Sequence, residues 1–347
     1  MTHVTHISVQ HVRNHTEKSI NLSPETTVIT GKNGAGKTSL IEALYIALQG
    51  TSFRGSDNDV LQKDQTWYRV DVEISDGSMR TVKFDSLKQA GRKQFTINDK
   101  ISYRLSPAQK YPVVLFEPED LRLISGSPVR RRHFIDQFIS QIDPQYHLSI
   151  RKYERALKQR NNLLKNHSVT QDELFVWNVA LSEYGSYIIT ERVSFIERIN
   201  NKITEAYQSI SQTKDVISVH YSHTLVDNIQ QKLLSELTKN NEKDKTLGYT
   251  TSGPHRDDIL IGFNDSQANT VASRGENRTV TLALKYLEAD IIFSTLSLRP
   301  VIILDDVFSE LDSIHQKNIS SGEYQVVITS TESKQDLKVS VVKLTNN

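Results

Sequence analysis

GKNGAGKT, Gly31 to Thr38, follows the short run TTVIT and opens SLIEALYIAL. A strand, a glycine-rich loop and a helix, in that order, are the setting that a phosphate-cradling P-loop requires. Gly31, Gly34 and Gly36 let backbone N–H groups turn inward around phosphate oxygens. The helix that starts at Lys37 adds the positive end of its dipole. Lys37 is placed to reach the β- and γ-phosphates, and the Thr38 hydroxyl is placed to ligate magnesium. Lys32, Asn33, Ala35 and Ser39 complete the expected ATP cradle. The stretch therefore predicts an α/β fold built around a nucleotide.

Two later stretches sharpen the class. In RPVIILDDVFSELD, Arg299 to Asp312, the apolar run Val301 to Leu304 ends in two carboxylates. Asp305 sits where a Walker B acid would hold magnesium, and Asp306 could activate the attacking water. SRGENRT begins at Ser273 and leads into a helix. A small residue, a glycine and an acid at a helix start have the layout of an ABC signature. Ser273, Arg274, Gly275 and Glu276 would form a second phosphate cradle. One nucleotide does not need two cradles on one chain. The economical reading is a homodimer that sandwiches ATP between the P-loop of one copy and the signature of the other. Asp312 falls at the place of a D-loop acid crossing that interface.

Spacing sets the architecture. Ser273 lies 242 positions after Gly31 (273 − 31), more than a transporter ATPase would leave and far less than a full SMC coiled coil. The surplus coincides with a mostly helical pattern from Pro128 to about Asn240. Leu174, Trp177, Leu181, Tyr184 and Ile188 continue to Ile210 as one apolar stripe, read as a single long helix with a kink near Gly185. NNEKDK, Asn240 to Lys245, reads as a charged turn. Before the block, Tyr68, Val70, Val72 and Ile74 alternate with polar residues as in a half-buried strand, and FTINDKIS reads as a hairpin turning at Asn98–Asp99. The expected organisation is an ABC/SMC-type ATPase lobe split in sequence, 1–118 and 246–347, with a helical second lobe inserted at 119–245.

Composition bounds the function. A chain of 347 residues has length for about two domains. Lys plus Arg is 42 and Asp plus Glu is 41, for a net charge of +1, which excludes a globally basic nucleic-acid binder. With no Cys there is no disulfide framework, Cys zinc site, iron–sulfur cluster or Cys nucleophile. That usage reads as cytoplasmic. MTHVTHISVQ has no leader pattern, and no apolar run approaches the ~18 residues of a membrane span. A local basic face does stand out. From Pro128 to Lys165 there are nine basic residues and three acids, +6 in a chain of +1. Arg130, Arg131 and Arg132 are consecutive, and Arg151, Arg155 and Lys158 share one helical face. These six are the candidate contacts to duplex phosphates. His3, His6, His11 and His15 cluster, but on strand and loop, and are not taken as a metal site.

Five ordered motifs resemble one family, RecF, the bacterial recombination-mediator ATPases. VLFEPEDLRLISGSPVRRRHFIDQ (Val114 to Gln137) is similar to the family's F-x-P-E-D-L, G-x-P and paired arginines. SGPHRDDILI (Ser252 to Ile261) resembles its G-P-H-R-D-D segment, and SRGENRT and LDDVFSELD its signature and Walker B. VRNH, residues 12–15, is similar to its opening F/L-R-N-Y. The resemblance implies an ATP- and Mg2+-dependent homodimer that binds double-stranded DNA near single-strand gaps. It implies weak, DNA-stimulated ATP hydrolysis used as a switch, and RecA loading together with RecO and RecR. Arg274 and Glu276 stand where glutamines are usual. Thr329 or Ser330 stands where ABC proteins carry a switch histidine, and FEPED offers only Glu119 or Asp120 at the Q-loop. Other readings are a different compact SMC-like ATPase, or an ATP-binding scaffold with little turnover.

Overall fold

TTVIT and VIIL are apolar or β-branched at every position, as strands covered on both faces must be. In the computed structural model both are buried parallel strands. The structure describes residues 2–88, 91–166, 168–223, 227–306, 323–331 and 339–344. It divides into two compact units, Met1–Leu121 with Glu288–Asn347, and Arg122–Leu287.

The first stretch holds β1 (Val4–Val12), β2 (His15–Asn21), β3 (Thr26–Thr30), α1 (Lys37–Gln49), α2 (Asp57–Val60), β4 (Trp67–Ile74), β5 (Met79–Asp85), β6 (Gln94–Ile97), β7 (Lys100–Ser102) and β8 (Val113–Phe116). Six of these strands form an antiparallel sheet in the order β2-β1-β4-β5-β6-β7. In β4 the alternating set Tyr68, Val70, Val72 and Ile74 is buried, as its period of two requires. The β6–β7 hairpin turns at Asn98 and Asp99, with φ of 46° and 63°, the left-handed pair that a tight hairpin demands.

The second unit holds α3 (Pro128–Ile142), α4 (Pro144–Leu164), α5 (Gln171–Asn200), α6 (Ile203–Ser211), β9 (Ile217–Tyr221), α7 (Ile229–Lys239), α8 (Asn241–Leu247), β10 (Ile259–Phe263), β11 (Ser266–Gln267) and α9 (Ala268–Val271). The apolar stripe read as one helix is two. Asn200, the last residue of α5, exchanges hydrogen bonds with the Val219 backbone at 2.8 and 2.7 Å, and Lys202 leaves the helical region at φ −134°. No break occurs at Gly185, which lies inside the continuous α5. A Cβ there would meet Leu233 Cδ2 of α7 at 2.7 Å and Tyr153 Cε2 at 3.2 Å, so a larger residue would make those side chains shift. NNEKDK is not a turn: it forms most of α8, with Asp244 buried at its centre.

α10 (Arg274–Leu296) spans the division between the units, and β12 (Val301–Leu304), β13 (Val326–Ser330) and β14 (Ser340–Lys343) follow. These three strands join β3 and β8 in a parallel sheet ordered β14-β3-β13-β12-β8. α1 packs against strands of both sheets, and of its 13 residues only Thr38 and Tyr45 are not buried. The lobes read from sequence and the compact units differ at residues 119–121, which fall in the first unit, and over residues 246–287, which fall in the second. Among the described residues no helix is long and apolar enough to cross a membrane.

Candidate nucleotide-binding site

Ligands of open α/β sheets bind beyond the carboxyl ends of parallel strands. β3 and β12 end at Thr30 and Leu304, separated in the sheet by β13, so the glycine loop and the Asp305–Asp306 pair emerge at one edge. Gly36 caps α1 in the left-handed region, φ 85°, and provides no side-chain cap. The first-turn N–H groups of α1 therefore keep their capacity for an external acceptor. Gly36 is also sterically required, because a Cβ would lie 2.2 Å from His15 Nε2. Lys37 is 7% exposed, and its Nζ donates to the carbonyls of Gly31 at 2.9 Å and Lys32 at 3.3 Å.

Across the sheet edge the Thr38 hydroxyl donates to Asp305 Oδ1 at 2.8 Å. Thr329 Oγ1 donates to the same oxygen at 2.9 Å and accepts from the Asp306 N–H at 2.8 Å. Asp306 has a φ of 53°. A non-glycine residue held left-handed by a neighbouring hydroxyl is the kind of constraint found at functional sites. A hydroxyl paired with a buried carboxylate is a hard-oxygen donor set, which suits Mg2+. The uncapped α1 terminus and Lys37 suit a polyphosphate. Asp312 lies outside the described residues.

In the second unit, Ser273 and Glu276 form a reciprocal capping box at the start of α10. The Ser273 N–H donates to Glu276 Oε2 at 2.6 Å and the Glu276 N–H to Ser273 Oγ at 3.3 Å. Glu276, found where the resemblance has glutamine, thus fixes the turn through its carboxylate. Ser273, Arg274 and Gly275 are exposed.

The six candidate DNA-contacting residues separate by environment. Arg151, Arg155 and Lys158 are exposed on α4. Arg131 is a correction to the sequence reading. Its guanidinium is buried and binds both Asp258 oxygens, at 2.9 and 2.8 Å, and the Gly126 carbonyl at 2.6 Å. It is committed inside the unit and leaves the phosphate-binding set. Arg132 donates to the Asp257 carbonyl at 2.5 Å, and burial lowers its pKa. Arg130 is half-buried. His255, the histidine of the GPHRDD stretch, bridges Tyr153 Oη at 2.7 Å and the Thr250 carbonyl at 3.1 Å. Burial pushes its pKa down to about 4, so at neutral pH it is an uncharged structural tie. Asp120 accepts from the Glu117 N–H at 2.9 Å and closes the FEPED turn. The N-terminal histidines disperse to separate partners, and no cluster of three potential ligands occurs among the described residues.

A family model described as an AAA domain matches residues 6–249. The DNA replication and repair protein RecF of Clostridium perfringens is 35% identical over 327 residues, covering 92% of this chain and 90% of that protein. The chain belongs to the RecF family. RecF of Clostridium botulinum is 32% identical over 359 residues, 99% of this chain and 98% of its own. A solved structure of the recombination mediator protein RecF-ATPrS in the RecFOR pathway superposes with a TM-score of 0.89 at 28% identity, over 99% and 96% of the two chains. The Smc head domain of Pyrococcus furiosus, at TM-score 0.51 and 14% identity over 96% of this chain and 90% of its own, shares the fold.

Beyond the nucleotide loop, RecF-type sequence motifs left two side chains at this site without a role, Asn14 and His15. The signal was present in VRNH, but nothing local to it discloses a contact with the glycine loop.

Proposed function

We propose that this chain is an ATP-dependent DNA-binding protein of recombinational repair, an ATPase whose slow, DNA-stimulated hydrolysis acts as a switch. The observation that carries the reading is the Thr38–Asp305 hydrogen bond of 2.8 Å beside the uncapped, lysine-bearing start of α1. Gly31 to Ser39 would cradle ATP, and Thr38 and Asp305 would hold Mg2+. A magnesium ion in that place supplies charge neutralisation for the phosphates. Lys37 would place its ammonium on the phosphate side of the loop. Asp306, fixed by Thr329, would accept the proton of the attacking water. RecF relatives solved with ATP and with ATPrS support the nucleotide.

Ser273 to Glu276, preformed as a capped helix start with its first three residues exposed, would engage the ATP of a second copy, and Asp312 would act as the D-loop acid of that interface. The functional lobes on this reading are 1–118 with 246–347, and 119–245. The closed homodimer would bind duplex DNA near single-strand gaps and promote RecA loading with RecO and RecR, as the family resemblance implies; the solved relatives, described as recombination mediators in the RecFOR pathway, are compatible with that role. Sedimentation of wild type and Asp306→Asn, with ATP, magnesium and a gapped duplex, tests it. ATP should convert monomer to dimer, the variant should hold the dimer, and DNA should join only that species. A chain that stays monomeric at saturating ATP would sink the sandwich.

The α4 face would hold phosphates without reading bases, so binding should fall steeply with salt. Reversing Arg151, Arg155 and Lys158 to Glu together should abolish duplex binding and leave ATP affinity unchanged. A mobility-shift titration of that variant at normal strength would reject the face.

A further inference from the structure

The β1–β2 turn reaches the glycine loop with two adjacent side chains. Asn14 Nδ2 donates to the Gly34 carbonyl at 2.8 Å, and His15 Nε2 lies 3.0 Å from the Gly36 carbonyl. Gly34 and Gly36 are the two left-handed glycines of the loop, at φ 84° and 85°. A carbonyl can only accept, so the His15 contact requires the proton on Nε2. Burial lowers the His15 pKa, which makes the neutral Nε2–H tautomer the resting form.

We propose that Asn14 and His15 are positioning residues for the nucleotide, pinning the two flexible points of the P-loop in a phosphate-ready shape. The inference rests on the ATP-binding reading. In a trans peptide the carbonyl and the following N–H point opposite ways. Holding the Gly36 carbonyl against His15 and the Leu40 N–H, the latter at 3.1 Å, turns the Lys37 N–H to the other side, where an anion at the helix start would meet it. The Gly34–Ala35 peptide is held at both ends, its carbonyl by Asn14 and its N–H by the Lys32 carbonyl at 3.1 Å.

The turn itself is anchored. Arg13, left-handed at φ 53°, forms a two-pronged pair with Glu42 of α1 at 2.9 and 2.8 Å. Glu42 is fully buried and also accepts from Ser52 Oγ at 2.6 Å. Ser39 Oγ donates to Asn14 Oδ1 at 3.3 Å, which orients the amide. A strained non-glycine residue at the head of two functional contacts marks a turn whose shape is used. His15 is the residue found where the family pattern has tyrosine, so this chain makes the Gly36 contact with a ring nitrogen.

The test is equilibrium titration of the full chain with fluorescent ATP and ADP analogues, alongside nucleotide-free melting curves. Asn14→Leu and His15→Phe each keep a side chain of similar shape, add no charge and remove the donor. Each should weaken ATP and ADP by the same factor, about tenfold, the worth of one such hydrogen bond. His15→Gln, which restores an N–H donor, should recover most of the loss at a similar melting temperature. Wild-type affinity in both donor-less variants overturns the proposal, as does a loss confined to ATP, which would place these residues at the γ-phosphate. Failure of wild type to bind ATP in the same titration overturns the nucleotide reading itself, and is distinguishable from both.

Discussion

Lys37→Ala is expected to lower ATP affinity at least about a hundredfold, because two charge-assisted phosphate bonds of about 1.5 kcal/mol each are lost. The side chain is 7% exposed and lies along the loop on two of its carbonyls. No carboxylate ion pair to Lys37 occurs among the described residues. A buried ammonium satisfied only by neutral oxygens is a poor end state, since burying a charge is costly without a counter-charge. A polyphosphate entering the loop would supply that charge at the same place. Calorimetric titration checks the result, with Thr38→Ala as a companion that should weaken the magnesium dependence more than nucleotide affinity. ATP binding within about threefold of wild type in Lys37→Ala would remove the lysine from the site. The variant also frees the Gly31 and Lys32 carbonyls, so its melting temperature belongs in the same experiment.

What the sequence made legible was whatever depends on neighbours along the chain. The glycine loop, the strand ending in Asp305 and Asp306, and the Asn98–Asp99 hairpin all carry their chemistry within a few residues. The misreadings have the opposite character. Arg131 finds Asp258 127 positions away, so counting charge from Pro128 to Lys165 could not show that it is neutralised internally. The break between α5 and α6 depends on Asn200 meeting the Val219 backbone, while the apolar stripe runs through it unchanged. Asp244 looked like part of a charged turn because its partners, Thr251 and Arg160, are not evident from NNEKDK alone. The Asn14 and His15 contacts are of the same kind: a hairpin turn serves a loop it does not adjoin in sequence. Local pattern locates the elements that touch a nucleotide, and tertiary contact decides which further side chains shape them.

Arg160 shows how much a charge count can conceal. It belongs to the same basic block as Arg155 and lies on the same helix, yet its relative exposure is 0%. Its guanidinium donates to Asn178 at 2.7 Å, Asp244 at 2.7 Å, Thr250 at 2.8 Å and Asn241 at 2.9 Å. These partners come from α5, α8 and the segment after α8, so one side chain ties three parts of the second unit together. Arg160→Met should fill much of the space but leave the buried Asp244 without its cation, a loss of about 3–5 kcal/mol. For a unit of this size that is a fall of roughly 6–20 °C in melting temperature. Arg155→Met, five positions earlier and exposed, should change stability by less than about 0.5 kcal/mol. Duplex affinity should divide the other way, falling in Arg155→Met and holding in Arg160→Met at temperatures where that variant is folded. Adding Asp244→Leu to Arg160→Met should recover part of the stability, because removing both charges is milder than stranding one. Equal melting temperatures for the two single variants would mean that the hydrogen bonds at Arg160 do not hold this unit together.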